Sequence, residues 1–574
     1  MKKFKNFILS EGGVWTFIIL YSLYFIVSIQ PQYLFTGDGL NKIIQSRSLI
    51  QNSFQFEEVL YPFKDIDPDF KYYPFQGVYL LTLGNRHLGQ YPVFFSALIS
   101  PVVAFFPDVL FSIIGVILFL LSLFIAKKFF GLHRFTLLFI TFLTFLLPLA
   151  IDFSENIYTA CFTFIGLVLF LSSRHDTNKK TSPFIIIFSG FLIAAGVWLR
   201  LEGLFFMLCL AISLIPVFGI RYILRSKESY YFFISFGLFV SMFFIFNFYD
   251  YGHPLGPRFL ANIAEFSKSV PDRLIQATTL LFFGNYKVGF FVYTPLFLAA
   301  ILHFAMPSFY KELADQEKVL FWLVIFFLPS VSFFAPNDGV VTWGPRYLVH
   351  AVLPCCVLLD RYLVRNRIYD SIGFSRKHIL IYFLLFVSVI VSFVGFKFTR
   401  VAAKQLKTFQ LEMNATRGDI RIFQNLFLLN HIGMGYFQSK NLLVTNKKDL
   451  VDIISRLKTK YKGNSVAFYD SSLSFIFNEK KPDPIKEFLK GTGNSNEKGF
   501  SKFMATKSKL VLGFFYEIFL SFTTPVNGAE EFREAMKILT PTEKQEYLKF
   551  LRSNLKPVKE SSSKNIETYE FLIE

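Results

Sequence analysis

The sequence predicts an all-α, multi-pass membrane bundle followed by a C-terminal α/β domain outside the membrane. Hydrophobic residues make up 53% of the 574 positions and charged residues only 17%, and the mean hydropathy is +0.45. Apolar runs long enough to cross a bilayer, about 17–25 residues each, recur through the first two thirds of the chain. Such runs end near residue 400, where short apolar strands and an amphipathic helix take their place.

The net charge of +18 would suggest a nucleic-acid partner in a soluble chain. In a membrane protein, Lys and Arg hold loops on the cytoplasmic side, so no nucleic acid is expected here. The cysteines all lie in apolar runs, which predicts neither a disulfide framework nor a cysteine metal motif. They are Cys161, Cys209, Cys355 and Cys356.

The basic loops also predict the topology. The N-terminus "MKKFKNFILS" is basic and has no cleavage site after it, so we interpret the first apolar run as an uncleaved helix that leaves the cytoplasm. The next run with a basic end closes at "AKKFFGLHR", which makes residues 31–107 one large outer loop. Within that loop, "YPVFFSALISPVVAFF" is short and interrupted by Pro101, and it predicts a helix lying in the membrane interface.

Alternation of basic ends then predicts about 11 spans, with the N-terminus inside and the last domain outside. The mixed loop 310–318 carries the weakest basic signal. The predicted spans are about 13–30, 109–126, 134–150, 156–173, 184–199, 203–220, 230–248, 286–305, 319–335, 346–359 and 379–397.

Two domains follow from this organisation. Residues 1–399 form a transmembrane domain that includes the outer loop 31–107, and residues 400–574 form the extracytoplasmic α/β domain. In the latter, "NLLVT" and "SVAFYD" predict strands on either side of the helix "KKDLVDIISRLKTKY". "TYEFLIE" predicts a closing strand, and "GTGNSNEKG" predicts a flexible loop.

With this topology, the unusual polar residues gather on the outer side, at or beside the ends of spans that are nearly free of charge. Transporters more often carry ionisable residues or broken helices near mid-membrane. A site at the interface suits chemistry on the head group of a lipid whose tail stays in the bilayer. The segments are "TGDG" at 36–39, "KDIDPDFKYYP" at 64–74, "IDFSEN" at 151–156, "RLEG" at 200–203, "YDYGHPLGPRF" at 249–259 and "NDGVVTWGPRY" at 337–347.

Each of these residues also has a purely structural interpretation. Asp38 lies between two glycines, which is good turn chemistry. Asp152 and Glu155 can cap a helix that begins near 156, with Ser154 as N-cap. Arg200 and Glu202 can form a mutual ion pair.

Three further segments are open to similar interpretations. His253 fits a loop residue, and "WGPRY" fits a helix started by proline with interfacial aromatic residues. The three aspartates at 65–69 resemble a calcium loop in their spacing but lack its glycine and distal glutamate, so a solvated loop is expected.

The order of these segments resembles the membrane glycosyltransferases of the GT-C fold, in the branch of protein O-mannosyltransferases and aminoarabinose–lipid A transferases. Together the motifs cover about residues 11–360, and the last is the most specific. Leu201 and Phe75 stand where the family commonly has proline. The motifs are "TGDGLNKIIQSRSL" with Asp38, "KYYPFQGVYLL" at 71–81, "FSENIY" at 153–158, "GVWLRLEGLFF" at 196–206 and "VTWGPRYLVHAVLP" at 341–354.

The resemblance implies an inverting transfer of a sugar from a polyprenyl-phosphate donor to an acceptor on the outer side of the membrane. It assigns catalysis to Asp38, as base or metal ligand, with Asp152 or Glu155 as the second acidic position. Arg suits the phosphate because it can donate two parallel hydrogen bonds. The implied phosphate ligands are Lys71, Arg200 and Arg346, with Arg258 and His253 behind them, and the implied substrate contacts are Tyr73, Glu202, Trp343 and Tyr347.

Some members of this family hold a divalent metal on the phosphate and others use only basic residues. Mg²⁺ or Mn²⁺ held by Asp38 and Glu155 therefore stays open. The expected partners are the lipid-linked sugar, membrane lipids and a lipid, glycan or protein acceptor of the cell envelope. The expected location is the cytoplasmic membrane. A carrier or flippase for a lipid-linked saccharide and a non-catalytic envelope scaffold are the alternatives, and convergence of Asp38, Arg200 and Arg346 would favour the enzyme.

Overall fold

The computed structural model describes residues 10–77, 79–173, 182–262, 268–284, 287–337, 344–368, 378–416, 418–471, 539, 541–562 and 566–574. The chain divides into two compact units. The first consists of Met1–Leu60, Tyr79–Gly284 and Val288–Gln405, and the second of Tyr61–Val78, Asn285–Lys287 and Leu406–Glu574.

The first unit is built from helices and two short hairpins. Its α-helices are α1 (Glu11–Ile29), α2 (Asp38–Gln51), α3 (Val93–Phe105), α4 (Ile113–Phe130), α5 (Arg134–Leu143), α6 (Leu146–Ile151), α7 (Glu155–Ser172), α8 (Pro183–Leu199), α9 (Glu202–Phe218), α10 (Ile220–Arg225), α11 (Lys227–Tyr251), α12 (Gly256–Ala261), α13 (Val270–Leu281), α14 (Phe290–Tyr293), α15 (Pro295–Ala305), α16 (Pro307–Tyr310), α17 (Asp315–Phe334), α18 (Val352–Arg365) and α19 (Ile379–Ala415). The 3₁₀ helices are Pro31–Leu34, Asp108–Leu110 and Arg346–Ala351, and the hairpins pair β1 (Leu80–Leu83) with β2 (Arg86–Gly89) and β3 (Phe283–Gly284) with β4 (Lys287–Val288). Two of these elements extend into the second unit: α19 from Leu406 onward, and β4 at Lys287.

The multi-pass helical architecture predicted from the sequence is confirmed. An apolar helix lies at each of the 11 predicted spans, and among the described residues seven helices are long and apolar enough to cross a membrane. The other four are shorter, 10–17 residues, so the number of crossings stays a prediction. The segment predicted to lie in the interface is the helix α3, which continues through Pro101.

Small residues bring the central helices of the first unit together. A Cβ at Gly196 of α8 would lie 2.6 Å from the Thr163 side chain of α7. At Gly166 of α7 it would lie 2.8 Å from the carbonyl oxygen of Ser189. Apolar helices in lipid associate through such close backbone contacts because burial between them adds no hydrophobic driving force. The ends of α7 and α8 are thereby held in register, and these ends carry Glu155 and Arg200.

The second unit contains a five-stranded sheet, which confirms the predicted α/β domain. The strand order is β6-β5-β7-β9-β8, with the first three strands parallel and the last two antiparallel to their neighbours. All the predicted strands and the predicted helix are present, and "GTGNSNEKG" lies outside the described residues. The elements are β5 (Ile420–Phe423), α20 (Leu426–His431), the 3₁₀ helix Gly433–Gln438, β6 (Lys440–Leu443), α21 (Lys447–Lys460), β7 (Ser465–Ser471), α22 (Pro541–Asn554), β8 (Lys556–Ser562) and β9 (Ile566–Leu572).

Residues 61–78 belong to the second unit, although the sequence analysis placed them with the membrane domain. The backbone N–H of Leu443 donates to the carbonyl of Tyr72, and the Tyr72 hydroxyl donates to Asp452 at 2.6 Å. Asp67 is buried and accepts hydrogen bonds from the Tyr61 hydroxyl and the Tyr72 amide, both at 2.8 Å. The expectation of a solvated loop is therefore wrong for Asp67, because its carboxylate organises the segment.

Candidate functional site

Glu155, the first residue of α7, is the centre of a buried network of charges in the first unit. Its side chain is 2% exposed. One carboxylate oxygen contacts the ammonium of Lys42 from α2, whose side chain is also 2% exposed. The other oxygen lies 3.2 Å from Nη1 of Arg200 and 3.4 Å from Nη1 of Arg258. Three elements distant in sequence therefore meet at the start of α7.

Arg200 joins this network to the next helix. It follows α8, and its Nε and Nη2 donate to the two oxygens of Glu202, at 3.1 and 2.6 Å. Its Nη1 also donates to Oδ1 of the buried Asn156 at 2.5 Å. The bidentate pair fixes the plane of the guanidinium. The mutual ion pair anticipated for Arg200 and Glu202 is thus present, within a larger network that includes Glu155.

A second ion pair lies in the same unit, between Asp38 and Arg346. Nη1 of Arg346 donates to Oδ2 of Asp38 at 3.2 Å. The Tyr347 ring joins this pair to the first network, because its centroid is 5.3 Å from Cζ of Arg200 and 5.6 Å from Cζ of Arg346. We call the seven ion-paired residues the charged cluster. They are Asp38, Lys42, Glu155, Arg200, Glu202, Arg258 and Arg346.

Two features of the charged cluster favour an anionic ligand. Its four cations and three carboxylates leave one positive charge in excess. Nε of Arg346 is buried, and none of the described residues accepts a hydrogen bond from it. A buried donor without an acceptor costs roughly 1–3 kcal/mol, and more when it is charged. A phosphate oxygen beside Arg346 would remove that cost.

Asp38 begins α2, and Gly37 before it has φ of +46°, a conformation that suits glycine. Burial opposes ionisation of Asp38, but the positive charges of Arg346, Lys42 and Arg258 outweigh it and lower its pKa to about 2. The side chain nevertheless retains 37% of its exposure, whereas Glu155 retains 2%. Asp38 is therefore an ionised carboxylate that an incoming molecule can reach.

An aromatic wall borders the charged cluster. The Tyr91 ring lies 4.7 Å from the Lys42 ammonium and 5.3 Å from the Arg258 guanidinium. Phe95 from α3 lies 5.7 Å from the same ammonium. Cations are attracted to the faces of such rings, the more so where water is excluded. The wall therefore fixes the positions of Lys42 and Arg258.

Most of the residues proposed from the sequence are brought together here. Asp38, Glu155, Arg200, Glu202, Arg258, Arg346 and Tyr347 all lie in or against the charged cluster. Asp152 lies nearby, and burial raises the pKa of its carboxyl. The capping interpretation of this segment finds no support at Ser154, whose side chain makes no capping hydrogen bond.

The remaining predicted site residues lie away from the charged cluster or outside the described residues. His253 accepts from the Leu255 amide at 3.2 Å and stacks on Phe259, which are local contacts of its loop. Lys71 and Tyr73 belong to the second unit, where the Lys71 ammonium pairs with Asp449 at 2.6 Å and Tyr73 is buried. Trp343 lies outside the described residues.

Three participants were not anticipated from the sequence: Lys42, Asn156 and Tyr91. For Lys42 a signal existed. It follows Asp38 by four residues, and residues spaced by four share a face wherever the segment is helical. The β1–β2 hairpin precedes Tyr91 and brings it to the site. Short-range sequence pattern does not predict this placement.

A divalent metal held by Asp38 and Glu155 does not fit this arrangement. Both oxygens of Glu155 already contact cationic side chains, and one oxygen of Asp38 accepts from Arg346. Among the described residues, no three His, Cys, Asp or Glu side chains are grouped so as to hold a metal ion. Magnesium and manganese sites need several oxygen ligands around one point. The acidic residues here serve as partners of cations.

Comparisons with known proteins were made at three levels. No protein-family model matches the chain, and no curated protein matches its sequence. The chain is similar in structure to ArnT from Cupriavidus metallidurans bound to undecaprenyl phosphate, with 12% identity over 85% of this chain and 96% of that one and a TM-score of 0.45. It is also similar to the oligosaccharyltransferase AglB from Archaeoglobus fulgidus in complex with an inhibitory peptide and a dolichol-phosphate, with 11% identity over 78% of this chain and 69% of that one and a TM-score of 0.34.

A further similar structure is an Archaeoglobus fulgidus oligosaccharyltransferase complex with Zn and sulfate, with 11% identity over 79% of this chain and 67% of that one and a TM-score of 0.37. These proteins are glycosyltransferases of the GT-C fold, the class that the sequence motifs resemble.

Proposed function

We propose that this chain is a membrane glycosyltransferase that transfers a sugar from a polyprenyl-phosphate donor to a cell-envelope acceptor at the outer face of the cytoplasmic membrane. The observation that carries the proposal is the Asp38–Arg346 pair, in which a reachable carboxylate lies 3.2 Å from a guanidinium whose buried Nε has no acceptor among the described residues. Transfer from a phosphate leaving group to a hydroxyl needs these two groups side by side.

Arg346 and its cationic neighbours bind the donor phosphate in this proposal. Phosphate oxygens accept charge-assisted hydrogen bonds, and a guanidinium can offer two in parallel. The excess positive charge of the cluster favours the departing lipid phosphate, because negative charge grows on its bridging oxygen as the bond to the sugar breaks. Arg258 is 20% exposed, lies against the same Tyr91 ring as Lys42, and is the second candidate ligand.

Asp38 is the proposed general base. The acceptor hydroxyl loses its proton to the Asp38 carboxylate while its oxygen bonds to the anomeric carbon. The bond from that carbon to the phosphate oxygen breaks, and the leaving phosphate takes the electron pair. Attack opposite the leaving group inverts the anomeric centre. A pKa of about 2 makes free Asp38 a weak base, but a bound phosphate anion beside it would raise that pKa toward a more useful value.

Convergence of charges also distinguishes the enzyme from its alternatives. Arg200 and Arg346 flank one Tyr347 ring, and Arg346 contacts Asp38, so the three residues are not scattered as a scaffold would leave them. The three carboxylates of the charged cluster lie at the starts of α2, α7 and α9, Arg200 follows the end of α8, and Arg346 begins a 3₁₀ helix. A carrier would favour such groups near mid-membrane.

Mass analysis of envelope lipids and glycans tests the proposal. A strain lacking the gene should lack one sugar modification, which the unaltered gene restores and Asp38→Asn does not. Matched expression of both proteins in the membrane fraction is the control. If the envelope glycans of the two strains are identical under all growth conditions tested, the proposal is wrong.

A further inference from the structure

We propose that the lipid phosphate is bound without a divalent metal and that the buried Lys42 ammonium supplies the charge that a metal would otherwise supply. The inference rests on the proposed function, which the family resemblance leaves open on this point. Acidic residues such as Asp38 and Glu155 commonly hold a divalent metal, but here both contact cationic side chains.

The contacts of Glu155 give the first argument. One of its oxygens contacts the ammonium of Lys42, and the other lies within 3.4 Å of both Arg200 and Arg258. A metal ion could bind there only by displacing at least one of these cations. Displaced Lys42 or Arg200 would stay buried beside the new divalent charge, because both side chains are 2% exposed. Like charges buried together are strongly unfavourable.

The surroundings of Lys42 give the second argument. Its ammonium also lies 4.7 and 5.7 Å from the ring centroids of Tyr91 and Phe95. Aromatic faces stabilise an ammonium. Ring faces are not oxygen ligands, whereas Mg²⁺ needs several oxygen ligands and retains several waters. The pocket between α2, α3 and α7 is therefore shaped for a lysine.

The charge balance gives the third argument. With Lys42 the charged cluster has four cations against three carboxylates, and without it the two signs are equal. Lys42 is therefore one of the four cations on which the excess positive charge of the charged cluster depends. Among the described residues no group accepts a hydrogen bond from Nε of Arg346, so this donor can serve the phosphate.

Binding of undecaprenyl phosphate to the purified full-length chain in lipid nanodiscs is the first experiment. It is measured after exhaustive treatment with EDTA, and again with Mg²⁺ or Mn²⁺ added. We expect the dissociation constants to agree within about two-fold, a difference of under 1 kcal/mol. Binding that appears only when a divalent metal is present would overturn the inference and leave the proposed function standing.

Lys42→Ala is the second experiment, with the exposed Lys128→Ala as matched control. Loss of one buried charge should weaken undecaprenyl phosphate binding about ten-fold or more in Lys42→Ala, and Lys128→Ala should not change it. Thermal unfolding of both variants checks their folding. If Lys42→Ala does not fold, the EDTA comparison on the unaltered chain still decides. A folded Lys42→Ala variant with unchanged affinity would overturn the role given to Lys42.

A third measurement separates failure of the inference from failure of the proposed function. If the chain binds no undecaprenyl phosphate under any condition, the proposed function is wrong. Mn²⁺ binding to the lipid-free chain, followed by the electron paramagnetic resonance of free Mn²⁺, then still tests the site. The inference expects the same Mn²⁺ binding in the unaltered chain and in Asp38→Asn, and a loss of bound Mn²⁺ in the variant would overturn it.

Discussion

Arg346 donates a hydrogen bond to Asp38 at 3.2 Å although the two residues are 308 positions apart in the chain. Arg346 opens a 3₁₀ helix after Pro345, and Asp38 opens α2 after Gly37. An arginine at a helix start is unfavourable without an anion nearby, because that end of the helix is positive. Asp38 supplies one negative charge, and Nε of Arg346, which has no acceptor among the described residues, can bind a second.

Asp38→Asn is expected to reduce sugar transfer by about 10²–10⁴-fold, the usual contribution of a general base. Asparagine keeps the size and polarity of the side chain but cannot accept a proton. The exposed Asp315→Asn is the matched control and should retain full activity. Transfer is measured as sugar incorporated into the acceptor by membranes with equal amounts of each protein. An Asp38→Asn variant that keeps more than about a tenth of the activity would show that Asp38 is not the base.

Arg346→Lys should weaken binding of undecaprenyl phosphate, and Arg346→Ala should weaken it further, by about ten-fold or more. Lysine keeps the charge but loses the parallel pair of donors. Fluorescence-based titration of the lipid into nanodiscs gives both affinities, and Arg225→Lys and Arg225→Ala, at an exposed position, are the controls. If both Arg346 variants bind as tightly as the unaltered chain, Arg200 and Arg258 become the residues to test.

The sequence predicted which helix ends carry charge, because basic loops and uncharged spans determine a membrane topology with few alternatives. It could not predict which charges pair. From the sequence, Glu155 could have capped its own helix or held a metal. In the structure it pairs instead with Lys42 of α2. Long-range pairing depends on how helices pack, and the close contacts at Gly166 and Gly196 do not identify their partners in one sequence.

In the outer loop, too, local sequence pattern did not predict which distant residues come into contact. Residues 31–107 were predicted as one loop of the membrane domain, whereas residues 61–78 group with the C-terminal unit. Local pattern did not indicate this, because the contacts that fix the segment join Tyr72 to Asp452 and Lys71 to Asp449, nearly 400 residues away. The strands of the C-terminal sheet were predictable because each is a short apolar run between turn residues.

Gly344→Ala is expected to destabilise the chain strongly. Gly344 has φ of +95°, and a Cβ there would lie 2.7 Å from Cβ and Cγ of Phe145. Both the strain and the clash act two residues before Arg346, so binding of undecaprenyl phosphate should fall as well. Overpacking typically costs about 1–3 kcal/mol. Gly237→Ala in α11, where a Cβ has nothing within 4 Å, is the control. Equal unfolding midpoints for the two variants in the same detergent would contradict the steric argument.

Glu57 is expected to make stability depend on pH. Burial raises the pKa of Glu57 to about 8, and Asp250 adds to the effect, while hydrogen bonds from Tyr251 and Gln45 and the charge of Arg86 oppose it. The folded state therefore holds a proton that the unfolded state releases above about pH 4.5. The contribution of Glu57 to stability is full below that pH and is lost as the pH rises toward 8.

The measurement for Glu57 is the unfolding midpoint between about pH 4.5 and pH 8. Glu57→Gln, which stays neutral and can still bond to Gln45 and Tyr251, should flatten the decline. Asp38 does not affect stability in this pH range. Its pKa is lowered in the folded state, so the stability that its ionised carboxylate contributes is lost only as the pH falls below about 4 toward 2. A decline that is as steep in Glu57→Gln as in the unaltered chain would assign the effect to another group.

The topology predicts that the C-terminal unit lies outside and the loop 310–318 inside the cell. The exposed positions Lys462 and Lys311 test this as single cysteine substitutions. Because the four native cysteines are buried, background labelling by a membrane-impermeant thiol reagent should be low. We expect Lys462→Cys to react in intact spheroplasts and Lys311→Cys to react only after lysis. The reverse result would place Asp38 and the charged cluster on the cytoplasmic side, since both follow from the same positive-inside argument, and a donor presented at the outer face could not then reach Arg346.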